Sequence, residues 1–142
     1  MMGEESEKTR VMIVDDDAHV RIAVRTILKE AGFEVISADS GSACIDLLTT
    51  GFSGVILLDI MMPEMDGWDT IAKILEKDLF KGIVIAMLTA KSVPDTKMIG
   101  LQEWVLDYLT KPFDPDELIE RVKYFSKFLP TDEKDQESGK MS

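Results

Sequence analysis

The sequence predicts an α/β fold, a doubly wound parallel sheet covered by helices on both faces, and three features carry that prediction. Apolar runs at residues 11–14, 55–58 and 83–88 lack alternation, as strands buried on both faces do. Segments of helical periodicity separate the strands from one end of the chain to the other. Polar or charged residues follow the strands directly: Asp15, Asp16 and Asp17, then Asp59, Thr89 and Lys111. In open parallel sheets the ligand sits beyond the carboxyl ends of the strands, so these residues describe one site.

Each element has its own signal. Strand one is read over 10–15, and the next helix carries Val20, Ala23, Val24, Ile27, Leu28 and Ala31 before Gly32 closes it. Strand two spans about 34–38, a second helix 42–49 ends before Gly51, and strand three spans 54–58. The third helix starts at Asp66 with Trp68, Ile71, Ile74 and Leu75 on its inner face, and strand four spans 83–88. A short fourth helix is expected within 92–102, with Pro94 in its first turn and Gly100 interrupting it late. Strand five spans 106–110. The last helix has Asp114 as cap, Pro115 in first position, Glu117 three residues after the cap and a Phe113–Leu118 staple, and its inner stripe is Leu118, Val122, Phe125 and Leu129.

With 142 residues, 45% of them hydrophobic, the chain can build one core, and the expected organisation is a domain over 9–129 between a disordered N-terminus at 1–8 and a polar, disordered tail at 130–142. The tail is too short for an effector domain, so output is expected through a partner or an oligomer. The net charge of −11 argues against direct nucleic-acid binding, which needs a basic face. No apolar stretch approaches the roughly 18 residues of a membrane span, and the first ten residues lack a signal-peptide core, so the expected location is the cytoplasm. Cys44 stands alone among apolar neighbours and reads as a helix-face packing residue.

The chemistry follows from the strand ends. A carboxylate can act as a covalent nucleophile towards phosphorus, and Asp59 is placed for that. Gathering Asp15, Asp16 and Asp59 is costly unless a cation offsets their repulsion, which implies a divalent metal. Oxygen ligands with room left for water and phosphate suit Mg²⁺. Lys111 and Thr89 would serve the other phosphoryl oxygens.

Four motifs occur in register with the strands: Asp15-Asp16, Leu-Asp-Ile-Met-Met-Pro-Glu-Met-Asp-Gly over 58–67, Met-Leu-Thr-Ala over 87–90, and Asp-Tyr-Leu-Thr-Lys-Pro-Phe over 107–113. Together they resemble the response-regulator receiver domain of two-component signalling. The resemblance implies a flavodoxin-like (βα)5 fold with strand order 2-1-3-4-5, and a cis peptide bond between Lys111 and Pro112. It makes Asp59 the phosphoacceptor, with Mg²⁺ held by Asp15, Asp16, Asp59 and the carbonyl of Met61, Lys111 on the phosphoryl group, and Thr89 with Tyr108 as the switch pair. It implies a sensor histidine kinase or phosphotransfer protein as donor, a downstream protein target, and a signalling domain that catalyses only its own phosphorylation and dephosphorylation. Lys97, Asp107, Glu117 and Arg121 match in charge the ion pairs across receiver dimers, so a phosphorylation-dependent homodimer is a further expectation. Trp104 and Val105 depart from the small pair usual before strand five, which bears on the output face.

Plainer readings compete. Asp17 reads as a helix-start carboxylate and His19 as a solvent-facing residue without ligand partners. Met61, Met62, Met65 and Met87 read as gap-fillers, and Trp104 as core unless exposed. A turnover phosphatase of the haloacid-dehalogenase type would need Asp-x-Asp-x-Thr after a strand, whereas His19 stands where the Thr belongs. A pseudo-receiver scaffold is disfavoured because Asp59, Thr89 and Lys111 are all present.

Overall fold

The computed structural model describes residues 8–90 and 98–130. Its elements, in chain order, are β1 (Arg10–Val14), α1 (Ala18–Glu30), β2 (Glu34–Ala38), α2 (Gly41–Thr49), β3 (Gly54–Asp59), α3 (Gly67–Glu76), β4 (Ile83–Thr89), a 3₁₀ turn (Gln102–Trp104), β5 (Asp107–Thr110) and α4 (Pro115–Ser126). All strands run parallel in the order β2-β1-β3-β4-β5, as the sequence resemblance implies. Order reverses between β1 and β3, and the crevice of such a sheet opens at that switch point.

Two cores explain why the strand runs do not alternate. On one face Val11, Ile13, Val55, Leu57, Ala86 and Leu88 pack against Val24 and Leu28 of α1 and Leu118, Val122 and Phe125 of α4. On the other, Met12, Val14, Ile56, Leu58, Ile85 and Met87 meet Cys44 and Leu48 of α2 and Trp68, Ile71 and Ile74 of α3. Neighbouring strand residues serve opposite faces, and because both are covered each position must be apolar. Each fully buried Leu or Ile contributes about 1.5–3 kcal/mol relative to an exposed one.

Local signals set the helix ends. Asp17 caps α1, its carboxylate accepting from His19 N at 2.8 Å, so the helix-start reading of Asp17 holds. Asp114 caps α4 by accepting from Asp116 N and Glu117 N, with Pro115 in the first turn. Glu117 does not reciprocate; the capping box lies at α3, where Asp66 and Asp69 each accept from the other's backbone N–H. Ala23 is exposed rather than part of the inner stripe of α1, which buries Val24 and Leu28 and half-buries Val20, Ile27 and Ala31. Six apolar positions are more than one side of a helix can present to a flat sheet.

Residues 91–97, including Lys91, Pro94 and Lys97, lie outside the described residues, as do 1–7 and the tail from 131. Of the helix expected within 92–102, the described part shows turns at Met98–Leu101 and the 3₁₀ turn Gln102–Trp104. Trp104 is half-buried and meets Phe80 edge to face at 4.9 Å, which supports its reading as a packing residue. Among the described residues no helix is long and apolar enough to cross a membrane.

Candidate functional site

Register brings the site together. Val14 pairs with Leu58 across β1 and β3, so the next residues, Asp15 and Asp59, stand side by side at the carboxyl edge. Asp59 pairs with Leu88, and Thr89 with Thr110, which carries Lys111 to the same edge. The ladders run right to this edge: Ile60 N donates to Leu88 O at 3.0 Å, and Lys111 N to Thr89 O at 2.7 Å. The Lys111–Pro112 peptide is cis.

Helix α3 starts against this edge, and glycine makes that approach possible. A Cβ on Gly67 would lie 2.7 Å from the carbonyl oxygen of Asp59 and 2.9 Å from Ile60 Cα, both of them backbone. Gly67 N also donates to Ile60 O at 2.8 Å, which closes the loop containing Met61 to Asp66. Gly41, at the start of α2, leaves the space that Thr70 Oγ1 occupies: a Cβ there would be 2.3 Å away.

Asp15 is fully buried, Asp59 nearly so, and Asp16 is exposed. One carboxylate oxygen from each of the three lies within 4.8 Å of the other two. The Lys111 ammonium donates to Asp15 Oδ2 at 2.7 Å and stands 3.5 Å from Asp59 Oδ1. Asp15 Oδ1 accepts from Asp17 N at 2.9 Å, and Asp59 Oδ1 from Met61 N at 3.3 Å. Burial, and then the charge of Asp15, push the Asp59 carboxyl up to about 6, against the opposing pull of Lys111. Burial alone would lower the pKa of Lys111, but its hydrogen bond to Asp15 and the charges of Asp59 and Asp15 outweigh that and raise it. One ammonium therefore does not fully offset two buried carboxylates with a third beside them. A hard cation fits this oxygen-only donor set, which holds no imidazole or thiolate.

The remaining sequence candidates fall around the same edge. Thr89 is buried at the end of β4. Tyr108 on β5 is 37% exposed, with its ring 6.4 Å from that of Trp68. His19 is solvent-facing, its side chain 98% exposed. Met87 is buried and Met62 and Met65 are half-buried, as gap-fillers should be, but Met61 is 72% exposed and fills no gap. Its position on the outer side of the loop after β3 leaves it nothing to pack against. Arg121 and Asp107 pair within the chain at 2.5 Å. Sequence reasoning missed Arg21, whose guanidinium donates to the main-chain oxygen of Asp15 at 2.7 Å. Nothing in its spacing marks it, because charged residues on a helix are ordinarily solvated.

A doubly wound sheet of this order, with three carboxylates and a lysine at its switch-point edge, defines a receiver-type signalling domain. The chain belongs to the response regulator receiver domain family, whose model matches residues 11–123. It is 34% identical to Protein PilG of Pseudomonas aeruginosa over 132 residues, 92% of this chain and 98% of that protein. It is 32% identical to the phosphate regulon transcriptional regulatory protein PhoB of Escherichia coli, over 80% of this chain and 50% of PhoB, so it spans half the length of that regulator. Among solved structures, a CheY-like receiver domain protein from Methanospirillum hungatei shares 69% identity with a TM-score of 0.83, covering 86% of this chain and 97% of that one. The response regulator TrrA of Thermotoga maritima, solved in complex with Mg²⁺-BeF, shares 29% identity with a TM-score of 0.70, covering 82% of this chain and 98% of that one.

Proposed function

We propose that the chain is a phosphorylation-switched receiver that takes a phosphoryl group onto Asp59 from a phosphohistidine of a sensor kinase or phosphotransfer protein. The observation that carries this reading is the buried Asp59 carboxylate, with Asp15 beside it and the Lys111 ammonium 3.5 Å away. In the step, an Asp59 oxygen forms a bond to phosphorus as the phosphorus–nitrogen bond to the donor imidazole breaks, and the imidazole leaves with the electron pair. Lys111 holds one phosphoryl oxygen by charge and the Thr89 hydroxyl donates to another. Asp15, Asp16, Asp59 and the main-chain oxygen of Met61 would hold Mg²⁺, which supplies charge neutralisation at the phosphoryl oxygens. That TrrA was solved in complex with Mg²⁺-BeF supports Mg²⁺ as the ion.

Thr89 and Tyr108 form the switch in this reading: Thr89 moves towards the phosphoryl group, and the half-exposed Tyr108 follows. The unit that carries this function spans 9–129 and acts in the cytoplasm. Beside Lys111 an apolar shelf of about 510 Å³, lined by Val20, Ala23, Ala90, Pro112 and Phe113, gives a donor protein a surface on which to rest. Output passes to a downstream protein or to a second copy of the chain. The Asp107–Arg121 pair lies on the face that such a dimer would use, and light scattering with and without beryllofluoride tests dimerisation.

The function itself is tested by stoichiometry. With Mg²⁺ and acetyl phosphate the protein should gain one phosphoryl group and then stop, without steady turnover of a generic phosphomonoester. Sustained monoester hydrolysis would identify a phosphatase instead.

A further inference from the structure

We propose that Arg21 is a positioning residue of the carboxylate site: reaching back from α1, it fixes the peptide between Asp15 and Asp16 and so aims the Asp16 carboxylate at the cation. This rests on the reading of Asp15, Asp16 and Asp59 as Mg²⁺ ligands. Arg21 Nη1 donates to the main-chain oxygen of Asp15 at 2.7 Å in a half-buried position, a charge-assisted hydrogen bond. Its own N–H donates to Asp17 O at 3.1 Å, so one residue ties both sides of the loop that carries Asp16.

The oxygen that Arg21 grips belongs to a planar unit. Holding it fixes the direction of the Asp16 N–H and leaves fewer rotations between that plane and the Asp16 side chain. Asp15 itself has little need of this help. Its N–H donates to Ala38 O at 3.1 Å, and its two carboxylate oxygens accept from Asp17 N and Lys111 Nζ. Asp16 differs: it is exposed, and no hydrogen bond or ion pair to another described residue holds its carboxylate. Its orientation is therefore set by the backbone: the Asp15 carboxylate holds the N–H of the peptide after Asp16, and Arg21 holds the oxygen of the peptide before it. Groups that orient metal ligands from behind usually contribute ten- to hundredfold to affinity.

The test is Mg²⁺ affinity, measured by calorimetric titration of the full chain. Arg21→Met should weaken it about tenfold or more, with Arg21→Lys recovering part of the loss. Arg25→Met removes the same charge from an exposed position on the same helix, and it should stay within about twofold of wild type because solvent screens that charge. Melts in chelator show whether each variant is folded; if Arg21→Met is not, Arg21→Lys against Arg25→Met decides, and a wild-type affinity in Arg21→Lys counts against the proposal. Undiminished affinity in a folded Arg21→Met overturns the inference, and so does equal weakening by Arg25→Met, which would reduce the effect to net charge. A wild-type protein that binds no Mg²⁺ overturns the Mg²⁺ reading and this inference together, whereas a wild type that binds while the variants match it overturns the inference alone.

Discussion

Lys111 donates to Asp15 at 2.7 Å across a sequence separation of 96 residues, and this contact joins the first and last strands of the site. The same ammonium lies 3.5 Å from Asp59, so it offsets part of the charge of both buried carboxylates at once. Its removal has a definite cost. Lys111→Met should lower the unfolding free energy in chelator by about 3 kcal/mol, because breaking a largely buried pair leaves its partners uncompensated. Urea denaturation reads this directly, and an unchanged midpoint at unchanged slope would mean that the pair contributes nothing.

Mg²⁺ should do for three carboxylates what Lys111 does for two. A ligand bound only by the native state, at a hundredfold excess over its dissociation constant, adds about 2.7 kcal/mol of stability. For a chain of this size that is a rise in Tm on the order of 5–10 °C between chelator and saturating Mg²⁺. Equal melting temperatures would show that the carboxylates do not hold the ion.

Met61 follows Asp59 by two residues; its own N–H donates to the Asp59 carboxylate at 3.3 Å and its side chain is exposed. An apolar side chain at that position would obstruct water approaching an aspartyl phosphate on Asp59. Met61→Asn should therefore shorten the lifetime of the phosphorylated protein several-fold, on the order of 1 kcal/mol in barrier. A longer or unchanged lifetime, followed by intact mass after removal of the donor, refutes the shielding. Lys91, two residues after Thr89, lies outside the described residues.

Cys44 gives a pH prediction of known sign. Burial pushes its thiol from 9.0 up to about 12, so between these values the unfolded chain loses a proton that the native chain keeps. Stability should be unaffected by this group below about pH 9 and should fall above it, at up to about 1.4 kcal/mol per pH unit. Thiol reagents at pH 8 should label Cys44 only as the protein unfolds, and rapid labelling of the native protein would contradict its burial.

The sequence revealed the sheet because both its faces are covered, so runs such as 83–88 contain no polar break. It also revealed the residues at the strand ends, since Asp59 and Thr89 each stop an apolar run and Lys111 follows the fifth strand directly. What it hid depends on how a loop folds back against the helix that follows it. Gly67 reads as a turn glycine, and only the 2.7 Å approach to the Asp59 carbonyl shows that it seats α3 against the site. Arg21 looks like any helix-surface charge until its guanidinium is seen on Asp15. Met61 and Met87 are the same residue type, yet one is exposed and the other buried, because the first lies on a loop and the second in the central sheet.

The central claim, that Asp59 accepts the phosphoryl group, is tested most directly by intact mass after incubation with Mg²⁺ and acetyl phosphate, with wild type and Asp59→Asn side by side. The wild type should gain one phosphoryl group and the variant none, with both folded. A variant modified as readily as the wild type would contradict that claim.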